Sequence, residues 1–90
     1  MKTNLCYDGC DLVGLALKYG TPLYVFSKSM IEGRCSEIRE QFIKRYGGSH
    51  AYYAGKAFLT LAMCQIVEKE GLGLDVVSGG ELHLALKAHF

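Results

Sequence analysis

A lysine and a short polar segment are the parts of this sequence best suited to chemistry. Lys56 lies within the sequence Gly-Lys-Ala, and the polar segment farther along the chain contains Asp75, Ser78 and Glu81. A lysine amine in an apolar setting has a lowered pKa, because burial penalises the charged form, and it can then act as a nucleophile. From the residues alone, a solvated lysine in a loop is the commoner outcome.

The sequence Ser78-Gly79-Gly80 before a predicted helix is a second candidate, since backbone amides at a helix start bind anions. It lacks the glycine spacing of the P-loop and of the dinucleotide fingerprint, which favours an ordinary tight turn. The three histidines share no ligand spacing with one another or with the cysteines. The sequence therefore predicts no metal site.

The first half of the chain predicts a helix, a strand and a second helix. Residues 11–19 have one apolar face, and the aspartate at their start suits a helix cap. Residues 21–26 are rich in aromatic and β-branched side chains, which indicates a strand. Ser29 and Glu32 have the spacing of a capping box, and with the apolar periodicity that follows they predict a helix over residues 29–43.

The second half alternates strand and helix, with strands expected at residues 50–54 and 74–77 and helices at residues 59–70 and 81–88. This alternation favours a parallel sheet, either an open doubly wound sheet or the start of a (β/α)8 barrel. Composition does not separate the two. In both architectures the functional groups collect at the carboxyl ends of the strands, which makes Lys56 and residues 75–81 candidate neighbours.

The composition is that of an ordinary globular protein, with 50% hydrophobic and 21% charged residues and a formal net charge of +1. Nothing in it points to nucleic acid or to a membrane. No secretion signal is visible, so a cytoplasmic location and four reduced cysteines are expected. Cys35 and Cys64 fall on apolar helix faces, where cysteine acts as a small hydrophobic residue.

Two motifs carry a resemblance to a known family. Residues 53–57, Tyr-Ala-Gly-Lys-Ala, are similar to the Tyr-Ala-x-Lys-Ala element of the fold-type III decarboxylases, which use pyridoxal 5'-phosphate. Residues 75–82 resemble the element that follows in the diaminopimelate decarboxylases, at a matching spacing, and residues 11–13 and 18–25 resemble the family's opening. One departure is Phe58, where many members have Asn.

The resemblance implies an α/β fold in which residues 27–90 begin a (β/α)8 barrel of the alanine-racemase type. Residues 1–26 would form an N-terminal segment whose strand joins a β-domain built mainly from the C-terminus of a longer protein. A complete barrel needs about 250 residues, so these 90 are expected to be a fragment that is inactive by itself.

The resemblance also assigns roles to residues. Lys56 would hold pyridoxal 5'-phosphate as a Schiff base, and Asp75 would orient or polarise that lysine. Gly55 would let the cofactor approach the backbone closely. The cofactor contacts expected in this chain are those of Ala54, Lys56, Asp75, Ser78 and Glu81.

The activity implied is decarboxylation of meso-diaminopimelate to L-lysine and carbon dioxide, in a homodimer whose active site the partner subunit completes. Three alternatives stay open. The chain could belong to a sister decarboxylase of another basic amino acid or a carboxylated polyamine, or to a non-catalytic homologue that binds the cofactor. It could also be a plain βα module whose lysine has no catalytic role.

Overall fold

The computed structural model describes residues 3–90, so residues 1 and 2 of the predicted N-terminal segment lie outside the described residues. The chain divides into two compact units between Ile31 and Glu32. In chain order its strands are β1 (Cys6–Tyr7), β2 (Cys10–Asp11), β3 (Tyr52–Ala54) and β4 (Gly73–Asp75), and its α-helices are α1 (Leu12–Tyr19), α2 (Lys28–Ile38), α3 (Leu61–Lys69) and α4 (Gly79–Lys87).

A short antiparallel hairpin opens the first unit, and the sequence analysis did not predict it. Strand β1 pairs with β2 across a two-residue turn of Asp8 and Gly9, whose φ angles are 51° and 77°. Positive φ at both central residues is typical of a type I′ turn, for which Asp-Gly is a favoured sequence. The Asp-Gly pair was therefore the signal that pointed to this hairpin.

Helix α1 confirms the helix predicted at residues 11–19. The carboxylate of Asp11 accepts hydrogen bonds from the amides of Val13 and Gly14, each at 3.3 Å, so it caps the first turn as expected. The helix ends before Gly20, whose φ of 83° is a conformation that glycine adopts without steric cost.

Residues 21–26, predicted as a strand, form no strand in the structure. A strand is defined by its backbone pairing, and the two sheets among the described residues consist of β1 with β2 and β3 with β4. Their side chains are exposed, including Tyr24 at 88%. That this segment pairs with a separate β-domain stays a prediction.

Helix α2 is capped by Ser27, so the predicted capping box of Ser29 and Glu32 is wrong. The Ser27 hydroxyl accepts from the Met30 amide at 3.2 Å and donates to the Asp8 carboxylate at 2.7 Å. Ser29 lies inside the first turn, where its hydroxyl donates to the same carboxylate.

Hydrogen bonds from the two serine hydroxyls hold the pKa of Asp8 below its ordinary value of 3.8. Any stabilisation from the hydrogen bonds of Asp8 with Ser27 and Ser29 is present above pH 3.8, and it is lost as the pH falls through the lowered pKa of Asp8.

The helix predicted over residues 29–43 changes its geometry partway. After Ile38 the chain continues as one turn of π-helix, Arg39–Ile43. The Arg39 guanidinium donates to the Glu70 carbonyl at 2.8 Å, which gives a partner to a backbone oxygen at the end of α3. Hydrophobic periodicity does not distinguish a π-turn from an α-helical one.

The second unit contains the parallel pairing that the sequence predicts. Strands β3 and β4 lie parallel and side by side, and α3 connects them. Helix α3 contacts both β4 and α4, and the core between them contains Met63, Cys64, Val67, Leu72, Ala85 and Ala88. This unit is a mixed α/β structure, and its continuation into a (β/α)8 barrel stays a prediction.

Cys35 and Cys64 are buried, as expected for cysteines on apolar helix faces, and burial raises the pKa of both thiols. Within residues 3–90, none of the helices has the length and apolarity needed to cross a membrane.

Gly73 is required by the packing between β3 and β4. It pairs with Tyr52 across the sheet, and a Cβ atom added at Gly73 would overlap the Tyr52 ring. We expect Gly73→Ala to lower the free energy of unfolding by about 1–3 kcal/mol, the usual cost of overpacking. Urea denaturation of the purified protein measures this change.

The matched control for this prediction is Gly33→Ala in α2. A Cβ added at Gly33 meets nothing within 4 Å, so alanine should be neutral or stabilise the helix by up to about 1 kcal/mol. Equal denaturation midpoints for the two variants would contradict the packing role of Gly73.

Candidate active site

The lysine turn and the acidic segment lie at the same edge of the two-stranded parallel sheet. Strand β3 ends at Ala54 and β4 ends at Asp75, and these two residues are direct partners in the pairing. Lys56 follows β3 in a single 3₁₀ turn, Gly55–Ala57, and Ser78 follows β4 at the start of α4. The structure therefore brings these segments together, as expected for parallel strands.

The Lys56 side chain is exposed. Within the described residues its ammonium forms no ion pair, so the amine is accessible to a ligand. The apolar setting that the sequence suggests for this lysine is not formed by residues 3–90, because Ala57 beside it is also exposed.

Gly55 packs directly against the acidic segment. It is buried, and an added Cβ would lie 3.1 Å from Oε1 of Glu81, 3.2 Å from the Leu59 side chain and 3.4 Å from the carbonyl oxygen of Asp75. The space that a Cβ at position 55 would need is therefore occupied by Glu81 and Leu59. A glycine here lets the Glu81 carboxylate lie against the lysine turn.

Glu81 and Ser78 form a capping arrangement at the start of α4. The Ser78 hydroxyl accepts from the Glu81 amide at 3.1 Å, and the Glu81 carboxylate accepts from the Val77 amide at 3.3 Å and the Ser78 hydroxyl at 3.2 Å. The helix begins at Gly79, two residues earlier than predicted. The Glu81 carboxylate already accepts from an amide at this helix start and would repel an external anion, so an anion site at residues 78–80 is not supported.

Asp75 lies at the end of β4 with an exposed side chain. In the part of the chain that the structure describes, its carboxylate accepts no hydrogen bond and forms no ion pair. Because side chains alternate along a strand, Asp75 and its partner Ala54 project to the same face of the sheet as Tyr52, which is 67% exposed. Asp75 is therefore a carboxylate that is open to a ligand on the uncovered face.

Tyr53 is a site residue that the sequence analysis quoted in a motif without a role. Its hydroxyl donates to the Phe58 carbonyl at 2.7 Å, across the turn that carries Lys56. Burial raises the pKa of Tyr53 above its ordinary value of 10.0. A tyrosine in a predicted buried strand was the available signal, since its hydroxyl needs a partner there.

The chemistry of this arrangement suits a carbonyl ligand. An accessible amine, once neutral, forms an imine with an aldehyde and the aldehyde oxygen leaves as water; nearby carboxylates can accept the proton that the ammonium must first lose. The same carboxylates disfavour a phosphate group beside them. No group of three or more His, Cys, Asp and Glu side chains among residues 3–90 is placed to hold a metal ion.

Comparison with known proteins gives two consistent findings. The family described as pyridoxal-dependent decarboxylase, pyridoxal binding domain, matches residues 28–90, which include the whole candidate site. The chain is also similar to diaminopimelate decarboxylases of Bacillus methanolicus (48% identity over 99% of this chain), Bacillus subtilis (49% over 97%) and Methanothermobacter thermautotrophicus (42% over 99%). It spans 21%, 20% and 21% of these relatives, about a fifth of their length.

Ser78 is expected to stabilise α4 through its cap. Replacing Ser78 by Ala removes the acceptor for the Glu81 amide and a donor to the Glu81 carboxylate, which should lower the free energy of unfolding by about 1 kcal/mol. The control is Ser36→Ala, inside α2, which should leave stability unchanged or slightly raised. Equal urea midpoints for the two variants would show that the cap contributes nothing.

Proposed function

Because the chain belongs to the pyridoxal-dependent decarboxylase family, whose pyridoxal binding domain matches residues 28–90, we propose that it is the lysine-bearing part of a longer diaminopimelate decarboxylase. The main observation that supports this proposal is that Lys56 and Asp75 lie at the same edge of the parallel sheet. Relatives that bear the name of this enzyme match nearly the whole chain.

Lys56 would hold pyridoxal 5'-phosphate covalently through its amine. The exposure of the Lys56 side chain supports this assignment, because the aldehyde of the cofactor must be able to reach the amine. Ala54, Asp75, Ser78 and Glu81 would line the same edge. The carboxylates there argue that the phosphate group is held by residues elsewhere in the longer protein.

When bound, the cofactor supplies the electron sink for breaking the bond between the α-carbon and its carboxylate. The chain's own residues act on protons and position. Lys56 must be neutral to form a covalent bond, and the Asp75 carboxylate, which has no partner within residues 3–90, would orient the amine or accept its proton. Glu81 accepts from its own helix start, which fixes it as a neighbour of the turn.

The proposed reaction converts meso-diaminopimelate to L-lysine and carbon dioxide in the cytoplasm. We further propose that the longer protein is a homodimer whose partner subunit completes the site. In it, residues 27–90 would begin a (β/α)8 barrel, and residues 1–26 would form a segment whose exposed stretch at 21–26 joins a β-domain.

A second candidate is decarboxylation of another basic amino acid or of a carboxylated polyamine. The description of the matched family names the cofactor and the reaction but no substrate, so this alternative agrees with it equally well. A panel of diaminopimelate, lysine, ornithine and arginine, with carbon dioxide release as the readout, separates the two. Turnover confined to diaminopimelate supports the first proposal, and preference for another substrate supports the second.

In the full-length protein, Lys56→Ala should remove nearly all turnover, because an alanine cannot bind the cofactor covalently. The control is Lys69→Ala, an exposed lysine in the last turn of α3, which should retain activity. Borohydride reduction followed by peptide mapping locates the attachment directly. A reduced cofactor on any other lysine would remove Lys56 from this role.

Asp75→Asn should cause a smaller loss, on the order of 10²-fold in kcat with little change in KM. The amide keeps the shape of the side chain and loses the charge that acts on Lys56. Glu68→Gln, an exposed neutralisation on α3, is the matched control. Steady-state kinetics that are the same in both variants would show that Asp75 takes no part in the reaction.

A further inference from the structure

The turn that carries Lys56 is anchored on its far side by one side-chain hydrogen bond. The Tyr53 hydroxyl reaches past the whole Gly55–Ala57 turn to the Phe58 carbonyl, at 2.7 Å. Tyr53 is the middle residue of β3, so its backbone is held by the pairing with β4. The bond therefore ties the end of the turn to the sheet.

The near side of the same turn is fixed by packing. Gly55 is buried, and it leaves room for the Glu81 carboxylate, the Leu59 side chain and the Asp75 carbonyl only because it has no Cβ. Lys56 lies between these two anchors, and its own side chain makes no described contact that would hold it. Its position is therefore set by the backbone of the turn.

We propose that Tyr53 is a positioning residue for Lys56: through its hydrogen bond to the Phe58 carbonyl it holds the turn in the one conformation that presents the lysine amine at the Asp75 edge. The inference rests on the proposed function of Lys56 and extends it to a residue outside the reacting groups. Tyr53 forms no described hydrogen bond with Lys56, so its effect would be transmitted by the backbone.

The hydroxyl, and not the aromatic ring, carries this role. A carbonyl can only accept, so the bond exists only while the Tyr53 hydroxyl is protonated. Burial raises the pKa of Tyr53 above its ordinary value, which keeps the donor intact through the pH range in which a decarboxylase is assayed. The effect of losing the hydroxyl should therefore be the same at every assay pH.

The test is Tyr53→Phe in the full-length protein, with Tyr52→Phe as the matched control. Both variants keep the ring and remove one hydroxyl, and the Tyr52 hydroxyl makes no hydrogen bond among the described residues. Tyr53→Phe should increase hydrogen exchange at the amides of residues 56–58 about tenfold. It should also slow covalent attachment of pyridoxal phosphate to the apoprotein and lower kcat, each about tenfold, with KM and the pH profile unchanged.

Three results would overturn the proposal. Attachment rates that are equal in the two variants would show that the hydroxyl does not position the amine. Faster exchange throughout α3 and α4, and not only at the turn, would make Tyr53 a general stabilising residue. Unchanged exchange at residues 56–58 would show that the bond does not hold the turn.

The experiment also separates this inference from the proposed function. If borohydride mapping of the wild-type protein finds the cofactor on another lysine, the function of Lys56 fails and so does a positioning role toward it. The exchange data would still report whether the turn depends on Tyr53. If the cofactor is on Lys56 and the two variants attach it equally fast, only the inference about Tyr53 fails.

Discussion

The register of three backbone pairs between β3 and β4 determines which candidate groups meet. With Ala54 opposite Asp75, the residues that follow each strand leave the sheet at the same point, so the lysine turn and the acidic segment emerge side by side. A slip of one residue would send every side chain of the moved strand to the opposite face. Gly73 protects the register, because only a residue without Cβ accommodates the Tyr52 ring lying over it.

Sequence patterns predicted those parts of the fold that depend on local chemistry or on the alternation of elements. The helices at residues 11–19, 59–70 and 81–88 and the parallel pairing were recognisable from caps, apolar stripes and β-branched runs. The strand predicted at residues 21–26 does not form among the described residues, because strand formation depends on pairing with another strand, which local propensity does not reveal. The cap of α2 was misplaced by two residues because Ser27 and Ser29, both near the helix start, offer similar hydroxyls.

The sequence predicted where the site residues lie in the fold, but it did not predict which side-chain contacts they make. A lysine after one strand and an acid after the next follow from the rule that parallel strands end at a common edge. The contacts of Gly55 with Glu81, and of Tyr53 with Phe58, depend on the conformation of a 3₁₀ turn. Hydrophobic periodicity and residue propensity do not predict this turn, because its conformation depends on its contacts with the sheet and with α4.

Phe58 stands where many family members have Asn, and the hydrogen bond from Tyr53 to this position involves the backbone carbonyl and not the side chain. Where many members of the family that the sequence resembles have Asn, this chain presents a carbonyl oxygen to Tyr53, and every residue type has that oxygen. The backbone there is extended, with φ of −174° and ψ of 125°, a conformation open to any side chain. The hydrogen bond from Tyr53 is therefore available whether position 58 carries the amide of Asn or the half-buried ring of Phe58.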